Sequence, residues 1–500
     1  MSKLTIYFTS DTHGYLYPNN FASKQPRPMG LLSMRFEKDE NTLVIDGGDT
    51  IQGSPLTYYC RLNALELPVA KAMNDRRYDY VTLGNHDFNN GPEYLRRYLD
   101  TLEAKCLCAN VTDAKGRLPV FPSAVHTLGN GLRVGLFGIV TDWVNRWEKK
   151  ENLTDLTVSD PFEAAKKAIA DLDADVIVGI YHGGIERDLE TGRLLSQTDE
   201  NIACRLCDEL DIDLLLTGHQ HIAMAEKQWN GTHIVQTPCN SASYVKVELD
   251  DGGAWHSELC TPPEEAELTQ PEQRLWEDVN VWLDQPIGRL SRDIWPGDKL
   301  DMALHGSPIA DFFNTVQLWA SGADVSCTAL GNELRGFASD VTVRDVVASY
   351  IYTNTLVVLE VTGAVLRQAL EQCARYFAVD ADGRILIAES FLSPKVAHYN
   401  FDYFSGIEYV YDLAKPEGER VTALTRGGRD IEPDEKLTLV MCDYRATGAG
   451  DFDFYCDCPR EKEILTEVSE IILNYLVEHP YVDIPDGHPC RALYAGKPIE

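Results

Sequence analysis

Five short β-like runs in the first half of the chain each end directly in a cluster of His, Asp or Asn. The clusters are Asp11-Thr12-His13-Gly14, Asp46-Gly47-Gly48-Asp49, Gly84-Asn85-His86-Asp87, His182-Gly183-Gly184 and Gly218-His219-Gln220-His221. A strand that stops at such a cluster delivers polar side chains to the edge of a sheet, where ends from distant parts of the chain converge. Imidazole nitrogens, carboxylate oxygens and an amide oxygen are the donors that a pair of divalent ions requires. Glycines beside nearly every candidate ligand permit tight turns and close approach. Singly, each cluster also reads as a turn, because Asn and Asp favour turns, and His182 reads as a satisfied polar residue at a strand end. Gly-His-x-His says more, since two His at i and i+2 share one face of an extended segment. With all five at strand ends, the metal reading outweighs the turn reading.

The chain has 500 residues, too many for one hydrophobic core, so two domains are expected. β-rich runs at 4–10, 42–45, 80–83, 132–139, 176–180, 214–216, 233–235 and 245–249 alternate with helical stretches such as 161–172, predicting a layered α/β domain over residues 1–255. Residues 256–293 read as a linker: a polar stretch around Pro262 and Pro263, then a helix with Leu275, Val279, Trp282 and Leu283 on one face, ending near Pro286. Residues 294–500 form a second domain, with helices expected at 309–319, 364–378 and 461–479 and strands at 356–361 and 436–441.

Charge bounds the partners. Lys and Arg number 45 against 78 Asp and Glu, a net charge of −33. This argues against a nucleic-acid polymer or an anionic membrane, both held mainly by Lys and Arg. No apolar run of about 18 residues occurs to span a bilayer. The N-terminal apolar stretch is short and alternates like a strand rather than a signal-peptide core. Thirteen scattered cysteines suit a reduced setting, and the chain reads as cytoplasmic. Cys204-Arg205-Leu206-Cys207 has redox-motif spacing but falls in a helical pattern, so ordinary helix cysteines are expected there.

The five clusters resemble the D-x-H, G-D, G-N-H-[DE], H and G-H-x-H pattern of the calcineurin-like metallophosphoesterases. That resemblance implies a four-layer β-sandwich flanked by helices around a binuclear metal centre. Asp11, His13 and His221 would hold one ion and Asn85, His182 and His219 the other, with Asp49 bridging. His86 would face the phosphate as general acid or charge stabiliser. Further strings narrow the likeness: 48–55 (GDTIQGSP), 84–89 (GNHDFN), 352–356 (YTNTL), 399–402 (YNFD), 406–409 (GIEY) and 444–448 (YRATG). Over residues 5 to 455 the chain resembles the two-domain 5′-nucleotidase family, closest to its 2′,3′-cyclic-nucleotide 2′-phosphodiesterase/3′-nucleotidase branch. A C-terminal α/β nucleotidase domain that binds the nucleoside is then implied.

By the same resemblance, Tyr399 and Tyr444 would sandwich the base, Asp402 would accept a hydrogen bond from a ribose hydroxyl or the base, and Arg335 would grip a phosphate. On residue type alone the tyrosines read as half-buried packing groups, Asp402 as a turn or cap residue, and Arg335 as part of a surface ion pair. Relatives that cleave 5′-nucleotides carry Asp three residues after the motif His, whereas this chain has Asn89, as the cyclic-phosphodiesterase branch tends to. The expected activity is metal-dependent hydrolysis of 2′,3′-cyclic nucleotides and 3′-nucleotides, by metal-bridged hydroxide attack on phosphorus. The alternatives are a 5′-nucleotidase or nucleotide-sugar hydrolase, or an inactive nucleotide-binding protein. Zinc, manganese or iron would suit the ligands. Two divalent ions would make the pocket locally cationic inside an acidic molecule, so a small anionic nucleotide is an acceptable partner.

Overall fold

A computed structural model describes residues 2–195, 199–332, 334–350, 352, 354–380, 383–393 and 396–499. Glu333 and Thr353, which fall in strings discussed above, lie outside these residues. The chain divides into two compact units, Met1–Val279 and Asn280–Glu500.

In the first unit, strands Ser2–Thr9, Thr42–Asp46, Tyr80–Val81, Lys105–Leu107 and Val120–Phe121 run parallel. Tyr244–Asp250 and Trp255–Cys260 extend the sheet antiparallel beyond Ser2–Thr9. Among the described residues a second sheet has six strands, with Arg133–Val140, Val176–His182, Leu214–Thr217 and Thr232–Gln236 parallel at its centre. The two sheets share one core. Ile6, Phe8, Leu43, Ile45 and Val247 from the first meet Val134, Leu136, Val178, Ile180, Leu214 and Leu216 from the second. Strand side chains alternate between faces, so Phe137, Ile139, Leu215 and Ile234 point the other way. There they pack on Phe162, Ala165, Leu206 and Cys207 of helices Pro161–Ala170 and Ala203–Glu209. Each fully buried Leu, Ile or Phe contributes about 1.5–3 kcal/mol. Helices Pro55–Leu62 and Pro68–Asp75 connect Thr42–Asp46 to Tyr80–Val81, and Gly91–Thr101 leads on to Lys105–Leu107. Parallel strands require such crossovers, and each of these three helices carries Pro in its first turn.

The helix expected between the domains spans Gln270–Leu283. It stops short of Pro286, which instead opens strand Pro286–Leu290 of a small sheet with Asp340–Thr342 and Tyr481–Val482. In the second unit, Val325–Ala329, Lys436–Cys442 and Leu356–Thr362 form the middle of a five-stranded sheet, flanked by Asp402–Ser405 and Arg460–Ile464. Helix Pro308–Ser321 lies against it, and Asn314 ties the two together by donating to the Tyr403 carbonyl (2.9 Å) and accepting from Ser326 Oγ (2.7 Å).

Two expected helices in this unit are shorter than their sequence suggests. The one at 364–378 is Gly363–Ala374, because Phe377–Val379 leaves to pair with Ile385–Ile387. The one at 461–479 begins only at Val468, where the apolar stripe Val468, Ile471, Ile472, Tyr475, Leu476 starts. Residues 460–464 form an edge strand instead. Cys204 and Cys207 are buried helix residues, as expected. Among the described residues, no helix is long and apolar enough to cross a membrane.

Candidate metal centre and substrate residues

The loops bearing Asp11, Asp49 and Asn85 follow three neighbouring parallel strands of the seven-stranded sheet. His182 ends, and His219 and His221 follow, two neighbouring parallel strands of the other sheet. Equivalent ends of the two sheets thus feed one place. The seven predicted ligands converge there. Asp11, His13 and His221 bring a donor atom each to within 4.8 Å of one another, as do Asp11, Asp49 and His182. His221 Nε2 is 3.3 Å from both Asp11 Oδ1 and His13 Nε2. The Asn85 amide oxygen lies 3.1 Å from His182 Nε2 and 2.9 Å from His219 Nδ1, and Asp49 Oδ2 lies 3.2 Å from His182 Nε2.

The opposite edge of three of the four ligand imidazoles is held by a group that can only accept. His13 Nδ1 donates to the Gln52 carbonyl (2.9 Å), His182 Nδ1 to the Gly47 carbonyl (2.7 Å) and His219 Nε2 to Glu200 (2.9 Å). Each bond places a proton on the outer nitrogen and turns the inner nitrogen toward the cluster, which is how metal-binding histidines are oriented. With its Nε2 proton given to Glu200, His219 turns an Nδ1 lone pair toward the Asn85 oxygen at 2.9 Å with no proton between them, a contact that fits a divalent cation better than a hydrogen bond. Trp147 stacks on His219 with centroids 5.4 Å apart.

Five of the seven candidate ligands have positive φ: Asp11 (55°), His13 (47°), Asp49 (56°), His219 (72°) and His221 (57°). Such left-handed residues cost about 1–3 kcal/mol each and persist only where their surroundings over-determine them. Part of that support is Asp87. Its carboxylate accepts from the backbone N–H groups of Asp49 (3.0 Å), Thr50 (2.9 Å), Ile51 (3.1 Å) and Gly84 (2.8 Å). Gly48 and Gly84 allow the two loops to touch. A Cβ on Gly84 would collide with the Asp49 carboxylate, and one on Gly48 with the Gly84 backbone.

Among the protein groups alone, charge is unevenly distributed. Burial works against ionisation of Asp11, but the hydrogen bond from His221 and the charge of His182 lower its pKa to about 2. Burial lowers His13 to about 4. It would lower His182 too, but Asp49 outweighs it and raises that ring to about 9. His221 is likewise raised despite burial, through Cys239 and Asp11.

His86 sits beside the ligands. Its backbone N–H donates to Asp49 Oδ1 (2.7 Å), its ring meets that of His13 edge-on, and its Nδ1 lies 2.9 Å from Asn89 Oδ1. Asn89 in turn donates to Glu148 Oε2 at 2.6 Å.

Residues 4–223 match the calcineurin-like phosphoesterase model, and residues 286–456 match the 5′-nucleotidase C-terminal domain model. A Staphylococcus aureus crystal structure, described as a candidate 5′-nucleotidase in complex with α-ketoglutarate, is 32% identical. It covers 98% of this chain and 99% of its own, with TM-score 0.72. The chain belongs to the two-domain 5′-nucleotidase family. A Yersinia enterocolitica family member, 2′,3′-cyclic-nucleotide 2′-phosphodiesterase/3′-nucleotidase, is 25% identical over 90% of this chain and 82% of its own. The Bacillus subtilis trifunctional nucleotide phosphoesterase protein YfkN is 25% identical over 96% of this chain, which spans only 38% of that longer protein.

In this 5′-nucleotidase family chain the second unit keeps its two predicted tyrosines accessible. Tyr399 is half-buried in a short turn, His398–Asn400, and Tyr444 is exposed on the short helix Asp443–Ala446. Tyr352 belongs with them: burial, then the neighbouring Tyr399 and Tyr444, raise its hydroxyl pKa. Arg335 is itself exposed, between half-buried Leu334 and buried Gly336.

Asp402 departs from expectation. It is neither a free acceptor for a ribose or base nor a turn or cap residue, but a buried strand residue, 1% exposed, taken up by Arg445. The Arg445 Nη2 hydrogen-bonds Asp402 Oδ1 (3.1 Å), and Nε makes an ion contact with Oδ2 at 2.8 Å, off the hydrogen-bond direction. Nη2 also donates to the Tyr399 carbonyl at 3.0 Å, and the guanidinium lies over the Phe452 ring. A carboxylate buried beside a guanidinium is consumed by it. The pair's visible role is to fasten the Tyr399 turn to the segment carrying Tyr444.

Sequence reading missed Glu148, Glu200, Trp147 and Tyr352. Trp147 ends the short helix Val144–Trp147, Glu148 caps it and Glu200 lies in a bend, and none of the three carries a motif. Tyr352 stood inside a matched string, but only its neighbourhood gives it a place. Asp87 was visible as the fourth residue of Gly-Asn-His-Asp, without a role.

Proposed function

We propose that the chain is a binuclear metallophosphoesterase hydrolysing 2′,3′-cyclic nucleotides and 3′-nucleotides. The observation that carries this reading is the convergence of Asp11, His13, Asp49, Asn85, His182, His219 and His221, with ring nitrogens and side-chain oxygens facing one another at about 3 Å. The family resemblance divides the ligands into Asp11, His13 and His221 for one ion and Asn85, His182 and His219 for the other, with Asp49 between; the mutual contacts of each trio support that division, while Asp11 also gathers with Asp49 and His182. Bound divalent ions, for which zinc, manganese and iron all suit mixed His and carboxylate donors, supply phosphate polarisation and acidification of a water.

The chain's own residues do the rest. Gln52, Gly47 and Glu200 fix the ring tautomers. Asp87 braces the Asp49 loop. His86 offers its Nε2 edge to a phosphoryl oxygen or to the departing ribose oxygen, as charge stabiliser or proton donor. In the second unit, Tyr399 and Tyr444 offer aromatic faces for a base, each worth about 1–3 kcal/mol in stacking. Arg335 is a further candidate for a phosphate. Preference for the cyclic and 3′ substrates rests on Asn89 after the motif His and on the likeness to the Yersinia protein. The reading includes a reducing, cytoplasmic location, supported by thirteen cysteines that are all free thiols.

A 5′-nucleotidase is the second reading, favoured by the description of the Staphylococcus aureus structure. Release of phosphate and nucleoside from 2′,3′-cyclic AMP, 3′-AMP and 5′-AMP, with manganese, zinc or chelator, separates the two. Cyclic and 3′ substrates should turn over faster, and chelator should abolish turnover. Dominant 5′-AMP hydrolysis would favour the second reading, and rates untouched by chelator would refute both.

A further inference from the structure

Glu148 is a buried carboxylate with no cation. It is 9% exposed, and among the described residues no Lys, Arg or His pairs with it. Its oxygens are engaged by amides. Oε1 accepts from the Lys149 backbone (2.7 Å) and Asn152 Nδ2 (2.9 Å), and Oε2 accepts from Asn89 Nδ2 at 2.6 Å. Asn152 is itself fixed by donating a second bond to the Asn89 carbonyl at 2.8 Å. An unpaired buried charge is costly, so the arrangement calls for a purpose.

We infer that Glu148 is a positioning residue for His86, acting through Asn89 to supply the orientation and charge that a carboxylate at residue 89 would have supplied directly. The chain of reasoning is one of donors and acceptors. An ionised carboxylate only accepts. Asn89 must therefore turn its NH₂ toward Glu148 and its carbonyl oxygen toward His86. That oxygen, 2.9 Å from His86 Nδ1, only accepts, so Nδ1 must carry the proton. His86 is thereby held in one tautomer, with Nε2 left to face the phosphoester. The negative charge of Glu148 also polarises the amide along the line Glu148–Asn89–His86, in the direction that steadies a positive ring. Without an acceptor-only group behind it, the amide of Asn89 could turn over and present NH₂ to His86, which would move the proton to Nε2. A wrong histidine tautomer costs a hydrolase most of its turnover.

The inference rests on the proposed phosphoesterase reading, and the experiment keeps the two apart. Hydrolysis of bis(p-nitrophenyl) phosphate and of 2′,3′-cyclic AMP is measured with manganese for the wild type, Glu148→Gln, Asn89→Asp and the Asn89→Asp/Glu148→Gln double variant. Metal content and melting temperature are recorded for each. Glu148→Gln keeps the shape but removes the charge and allows its own NH₂ to face Asn89. It should lower kcat about 10- to 100-fold, as loss of a supporting hydrogen-bond partner does at such sites, with KM and bound metal unchanged. Asn89→Asp alone should also be slow, because two carboxylates would then meet across the Asn89–Glu148 contact. The double variant, with one carboxylate placed directly on His86, should recover most of the wild-type kcat. A wild type inactive on both substrates refutes the function. An active wild type with Glu148→Gln at full rate, or a double variant slower than both single variants, refutes the role of Glu148 while leaving the function standing.

Discussion

Metal binding to the cluster should expel protons, and the number follows from the charge states of its histidines. At neutral pH, His182 is held protonated by Asp49, with a pKa raised to about 9, and His221 is also held protonated, beside Cys239 and Asp11. His13, lowered by burial to about 4, is already neutral. A metal ligand must give up its proton before it can bind. At any pH between 6 and 8, His182 and His221 therefore surrender about two protons as the site fills. Each proton displaced changes the apparent affinity by about 1.36 kcal/mol per pH unit. Raising pH from 6 to 8 should thus strengthen binding by about 5 kcal/mol, roughly four orders of magnitude. The sign is fixed: acid weakens binding, because protons compete for the same lone pairs. Manganese titration calorimetry in buffers of different ionisation enthalpy reads both proton release and the slope. Proton uptake, or an affinity flat across this range, would refute the assigned charge states.

Three further outcomes follow. Glu200→Gln should weaken metal affinity about 10- to 100-fold by loosening His219, read as metal retained after dialysis. Arg445→Met should destabilise the second unit by about 3–5 kcal/mol, because it strands Asp402 in a dry interior. Calorimetry should show much of that loss recovered when Asp402→Asn is added, and no recovery would mean that the pair is not energetically coupled. Asp87→Asn should cut both bound metal and turnover at least about 10-fold, since an amide cannot accept four backbone N–H groups as a carboxylate does.

The candidate ligands were legible because each sits at the end of a parallel strand, where short-range pattern and long-range position coincide. Alternation fixed the strands of the sandwich for the same reason: Leu136 and Phe137 must face opposite layers. Asp402 was misread because a carboxylate's partner lies in three dimensions, and Arg445 is distant in sequence. The helix expected at 461–479 started late because residues 460–464 had a sheet edge to join, which local propensity does not register. Glu148 and Glu200 could not be found by spacing at all. They act on a neighbour's hydrogen, and that relation has no sequence period.

The four amides gathered by Asp87 also bear on how inactive variants of this chain would be read. Asp87 ties the Asp49 loop after strand Thr42–Asp46 to the turn that follows Tyr80–Val81, so damage there is transmitted to Asp49 without any reacting atom being touched. A mutational survey scored by activity alone would rank Asp87 with the ligands. Scored by side-chain donors it would not appear among them. The two rankings would diverge at this residue, and the divergence distinguishes groups that perform chemistry from groups that keep an awkward backbone in place.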